Sequence, residues 1–152
     1  MTTAPRVLVS EQPIDPSALY KAFVEEDAGA GGIVTFTGQV RAEDGSVQAL
    51  VLDHYPEVTE RHIEKFIQEA KERWPLRHAR VVHRVGHIAP GETVVFVAAS
   101  ADHRRPAFEA ADFLMDYLKS AAPFWKKEIT RDGARWIEPT KNDLLDRNRW
   151  TL

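Results

Sequence analysis

The chain has 152 residues, 43% of them hydrophobic, and a formal net charge of −3. This is enough length and apolar content for one packed core, which argues against overall disorder, and the acidic balance argues against a general nucleic-acid binder. The absence of cysteine removes disulfides, thiolate metal sites and thiol nucleophiles together, and suits a reducing compartment.

Taken in chain order, Val7-Leu8-Val9 predicts a short strand. Asp15 before Pro16 predicts a capped helix running to about Glu26. The glycines at 29, 31 and 32 read as a flexible turn into a β-branched strand over 33–40. Asp44-Gly45 predicts a hairpin turn, with the return strand running from Val47 to about His54. Thr59 is the expected cap of a second helix, in which Ile63, Phe66, Ile67, Ala70 and Trp74 share one face and which Pro75 stops. Strands follow at 79–85 and 93–99, separated by a Pro90-Gly91 turn. A third helix is predicted over about 104–119. Strands at 124–129 and 134–138 flank Asp132-Gly133 as a last hairpin, and 141–152 is a polar tail, a short helix or an arm.

Strands alternate with helices, but at least two links read as hairpins. The pattern predicts an α+β fold with a mixed or antiparallel sheet rather than a doubly wound one. With no repeat, linker or low-complexity segment, residues 1–152 are expected to form a single domain. Residues 1–10 have no secretory-type apolar stretch and no run is long enough to span a bilayer, so the expected location is the cytoplasm.

Several signals are set aside. A phosphate loop follows a strand and opens a helix, whereas here the glycines follow a helix and open a strand. His83 and His87 are four apart in a strand and turn, not on a helix face, so no metal site is expected and surface or partly buried histidine is the reading for all but His103. Trp74, Trp125, Trp136 and Trp150 are assigned mainly to core or interface packing rather than to base stacking.

Three stretches carry chemistry. Asp102-His103-Arg104-Arg105-Pro106 lies where a strand hands over to a helix, so free N–H groups and arginines can meet an anion; the plain alternative is Asp102 as a helix cap beside solvated arginines. Lys119 ends that helix and Lys126-Lys127 open the next strand. Lysines so placed can converge on one pocket and lower each other's pKa towards neutrality. The plain alternatives are an ion pair of Lys119 with Asp112 or Asp116 on its own helix, and alternation sending Lys126 and Lys127 to opposite faces. Arg41 follows Gly38-Gln39-Val40 at a strand end, where Gly38 permits a close backbone approach.

Together these pieces resemble the large, catalytic subunit of molybdopterin synthase, the MoaE family. The stretches that carry the resemblance are Thr35-Phe36-Thr37-Gly38-Gln39-Val40-Arg41, Leu52-Asp53-His54-Tyr55-Pro56, His83-Arg84-Val85-Gly86, His103-Arg104, and Phe113 to Lys119 running into Ala122-Pro123-Phe124-Trp125-Lys126-Lys127-Glu128. The last is the most specific.

The resemblance implies an α/β-hammerhead-type fold with an additional β subdomain, a homodimer, and one small ubiquitin-like sulfur carrier per copy, giving a heterotetramer. The carrier's thiocarboxylated C-terminal Gly-Gly would enter the pocket, and two sulfur transfers to cyclic pyranopterin monophosphate would build the dithiolene of molybdopterin. It further implies Lys119 and Lys126 as the catalytic pair, His103, Arg104 and Arg41 as holders of phosphate and pterin, and Lys127, Glu128, Gln39 and Val40 as lining. Neither a cofactor nor a metal is implied. Position 39 is often lysine in relatives and is neutral glutamine here, for which Arg105 is a candidate compensation. The final Trp150-Thr151-Leu152 lacks a Gly-Gly, so the carrier itself is not expected. The competing reading is a non-catalytic module that binds a ubiquitin-like tail or a phosphorylated metabolite.

Overall fold

Asp15 accepts hydrogen bonds from the amides of Ser17 and Ala18, and with Pro16 opening the first turn it starts α1 (Pro16–Glu26). The computed structural model, which describes residues 5–151, continues through β2 (Gly32–Gln39), β3 (Val47–His54), α2 (Val58–Arg73), β4 (Leu76–Arg84), β5 (Gly86–Ile88), β6 (Thr93–Ala101), α3 (Arg104–Ser120), β7 (Phe124–Thr130), β8 (Gly133–Ile137) and α4 (Lys141–Asn148), with β1 (Val7–Ser10) ahead of α1. A short 3-10 turn, Arg149–Thr151, ends the described chain, and Leu152 of the expected tail lies outside it, as do residues 1–4 of the N-terminal stretch.

The strands form two four-stranded sheets. The first runs β1-β4-β6-β2 and is mixed, because β1 pairs parallel with β4 while the other pairs are antiparallel. The second runs β5-β3-β7-β8 and is wholly antiparallel. Alternation along β4 and β6 sends side chains to opposite faces of the first sheet. Ala79, Val81, Val95, Val97 and Ala99 pack against Ile63 and Ile67 of α2 and Phe113 and Leu114 of α3. Val82, Phe96 and Ala98 pack against Phe23 of α1. A smaller cluster of Val40, Val47, Leu52, Val85 and Ile88 lies under the second sheet.

Three expectations are corrected. The Asp44-Gly45 turn exists, with the Gly45 and Val47 amides donating to the Ala42 carbonyl. Yet β2 and β3 do not pair as a hairpin, since β2 joins β6 and β3 joins β5 and β7. Thr59 is not the cap of α2: it is fully buried, and its hydroxyl accepts from the Tyr55 amide and donates to the Pro123 carbonyl. The glycine segment is no loose connector. Gly31 donates to the Ala101 carbonyl, and a Cβ added there would sit 1.9 Å from the Asp102 carbonyl oxygen, so the backbone passes where no side chain fits. The tail, expected as a short helix or an arm, forms the helix α4, and beyond it Trp150 packs edge-on against Trp74 and Phe113.

Candidate active site

The last turn of α3 closes with the Ala121 amide donating to the Tyr117 carbonyl, and a three-residue link then turns the chain into β7. This places Lys119 at the end of a helix and Lys126 on the adjoining strand, facing one cavity of about 520 Å³. That volume is ordinary for a small-molecule site. Gln39, Val40 and Arg41 close one side from the end of β2, Glu128 and Arg135 line the floor from β7 and β8, and Thr140 and Asp143 border it from the start of α4.

Alternation along β7 turns Phe124, Lys126 and Glu128 inward. Burial, with the Lys119 charge adding to it and Asp143 opposing it, lowers Lys126 from 10.5 to about 8. The ion pair of Lys119 with Asp112 or Asp116, the plain alternative, does not form. Arg149 spans both carboxylates at 2.7 and 2.8 Å, and the Trp150 indole N–H donates to Asp116 at 2.6 Å. Among the described residues Lys119 has no salt bridge, so its charge is directed to the cavity. Glu128, only 8% exposed, accepts from Arg135 Nη2 at 2.7 Å and Nε at 3.1 Å. Arg41 projects into solvent with an 85% exposed side chain and pairs with Glu43 at 3.5 Å.

Of the nine expected site residues, Lys119, Lys126, Gln39, Val40, Arg41 and Glu128 therefore share one pocket. The other three do not join it within this chain. Lys127 lies on the opposite face of β7, its ammonium 5.6 Å from the centre of the exposed Trp136 ring, where Trp125 and Tyr55 complete an aromatic surface. Of the tryptophans read as core or interface residues, Trp74 and Trp150 pack against the core, while Trp125 and Trp136 are 53% and 66% exposed in this chain. His103 and Arg104 are exposed at the start of α3, about 22 Å from Lys119 at the helical rise per residue. Nor does Asp102 cap that helix; its carboxylate accepts from Arg77 at 2.8 Å, and Arg77 also holds Asp27.

Sequence reasoning missed His83. It is 4% exposed, not a surface or partly exposed residue, and it stacks on Phe124 with ring centres 4.1 Å apart. The signal was the inward β4 face Ala79-Val81-His83, where one polar residue interrupts an apolar row. Asp143 and Arg135 were also missed, because they meet the pocket only when β8 and α4 fold back over it.

Residues 9–121 match the family model described as "MoaE protein". The molybdopterin synthase catalytic subunit of Caulobacter vibrioides is 51% identical over 144 residues, covering 95% of this chain and 96% of its own. A solved structure, the molybdopterin biosynthesis MoaE protein from Burkholderia ambifaria, superposes with a TM-score of 0.83 at 39% identity, covering 98% of this chain and 99% of its own. A second, from a protein–protein complex of subunits 1 and 2 of molybdopterin-converting factor from Helicobacter pylori, shares the fold at a TM-score of 0.76 and 24% identity, covering 90% and 92%.

Proposed function

Since the chain belongs to the MoaE family of molybdopterin synthase catalytic subunits, we propose that this sulfurtransferase uses the Lys119–Lys126 pair to move sulfur from a carrier's thiocarboxylate to cyclic pyranopterin monophosphate. The observation that carries the reading is one lysine free of any described ion pair beside another lowered to about 8, both facing a 520 Å³ cavity.

An extended carrier tail ending in a thiocarboxylate is anionic, and Lys119 attracts it to the cavity mouth. As each sulfur bonds to a carbon of the pterin side chain, a carbon–oxygen bond of that carbon breaks and negative charge moves onto the departing oxygen. That oxygen leaves as water or as the oxygen of the opened cyclic phosphate, and an ammonium in a partly dry site stabilises its charge more than water does. Lys126, close to neutrality in its titration, is suited to give and take the protons that accompany the step. Water then cleaves the carrier's acyl–sulfur bond, and the tail leaves as a carboxylate. Two such transfers complete the dithiolene.

Phosphate recognition needs more than one chain. His103 and Arg104 stand too far along α3 to share a ligand with Lys119 of the same copy, so a second copy brings its α3 start to this pocket in a homodimer. One small carrier then docks on each copy, a heterotetramer; the Helicobacter pylori complex of subunits 1 and 2 supports a second kind of subunit as partner. The cysteine-free sequence suits the cytoplasm, with the sulfur arriving on the carrier.

The test is reconstitution: purified protein, thiocarboxylated carrier and cyclic pyranopterin monophosphate, with molybdopterin measured as product. Product formation supports the enzyme. Binding of both ligands without product overturns it in favour of a non-catalytic docking module.

A further inference from the structure

We propose that His83 is a positioning residue for the lysine pair, its Nε2 accepting a hydrogen bond from a lysine ammonium across one water, within a small cavity that the three side chains share. Its purpose rests on the sulfurtransferase reading above.

His83 Nδ1 lies 2.9 Å from the Arg84 carbonyl oxygen. A carbonyl oxygen only accepts, so Nδ1 carries the proton and Nε2 is left with a bare lone pair. The ring cannot turn away, because Phe124 stacks on it with an interplanar angle of 24°. The cavity measures about 40 Å³, room for one water of about 30 Å³. Five of its eight lining residues are apolar, and Lys119 and Lys126 bring donors only. His83 thus supplies the one side-chain nitrogen or oxygen that can accept there, and an ammonium beside an otherwise apolar wall needs such a partner.

The charges around this spot come from every neighbouring element. Lys119 faces it from α3, Asp143 from α4 and His54 from β3, while Glu128 and Arg135 border the adjoining pocket. Burial, aided by Lys126 and Lys119, holds His83 down at about 3. The ring therefore stays neutral, and an acceptor, at any pH at which the enzyme works. An anchored neutral acceptor aims the lysine Nζ towards the large pocket and supports its charged form.

Nitrogen-15 NMR of the full-length chain tests this without any turnover. The wild type should show His83 Nε2 unprotonated between pH 6 and 9, with a resonance that steps as Lys126 titrates. The step should vanish in Lys126→Met. A protonated Nε2, or a wild-type resonance with no step, overturns the proposal. In His83→Phe, which keeps the stacking and removes the acceptor, the Lys126 midpoint should fall below that of the wild type. His83→Gln, whose amide oxygen replaces the acceptor, should return at least half of the shift. An unmoved midpoint in folded His83→Phe also overturns it, and if that variant does not fold, the wild-type resonance still decides. A wild type that makes no product counts against the sulfurtransferase reading and leaves the His83 measurement intact.

Discussion

Arg149 holds Asp116 at 2.8 Å, and that contact leaves Lys119 without the partner three residues behind it on its own helix. The same guanidinium takes Asp112 at 2.7 Å, so both acidic groups on the Lys119 face of α3 are occupied by the C-terminal turn. A segment with no buried residue of its own in α4 or in the turn thereby sets the electrostatics of the pocket.

Arg149→Ala should cost about 1–3 kcal/mol, because Asp112 is half exposed but the Asp116 carboxylate is only 12% exposed and is left with Trp150 alone. It should also affect activity. Asp112 becomes free, Asp116 keeps only Trp150, and a new helical ion pair worth about 0.2–0.5 kcal/mol competes for Lys119. Carrier affinity should fall roughly twofold, measured by titration calorimetry at low salt, and the loss should shrink in high salt.

Lys126 makes stability depend on pH with a definite sign. Its folded value, about 8, lies below the ordinary 10.5, so between these the unfolded chain binds more protons and stability rises with pH. The cost is fully present below pH 8, amounts to at most about 3 kcal/mol, and disappears as pH passes 10.5. Lys126→Met should therefore be more stable than the wild type in urea at pH 7, with the advantage fading by pH 10. In the same window kcat of the wild type should rise through about pH 8 as Lys126 becomes a base.

Gly31→Ala should destabilise by about 1–3 kcal/mol, the range for forcing atoms into a packed site. The added methyl meets the Asp102 carbonyl at 1.9 Å, and backbone on both sides must give way. Since Asp102 leads directly into His103 and Arg104, pterin affinity should fall along with the melting temperature. An unchanged melting temperature would mean that the two segments are not in contact.

Local chemistry made much of this legible in the sequence. Asp15-Pro16 marked the start of α1, the apolar row of α2 marked its buried face, and the lysine pair marked the pocket. What stayed hidden depends on where a chain goes after a turn. The 42–47 turn is the same whether the next strand returns to β2 or crosses to another sheet, so pairing with β7 was not readable from it. β5 has three residues and no pattern of its own. For Lys127 the alternation of β7, already readable in the sequence, sends the side chain to the face opposite the cavity within this chain. For Lys119 a helix ion pair stayed open as the plain alternative, because Arg149, 30 residues on, gives no sign in the sequence that it folds back to take both aspartates.

The most direct test is Lys119→Ala in the reconstituted assay, with carrier and pterin binding measured separately. The account predicts that both ligands still bind within about tenfold while molybdopterin formation drops by about 100-fold or more, the scale of a lost charge-stabilising or proton-transfer group. Product at the wild-type rate from a Lys119→Ala protein would contradict it, because the pocket would then be working without the lysine around which it is built.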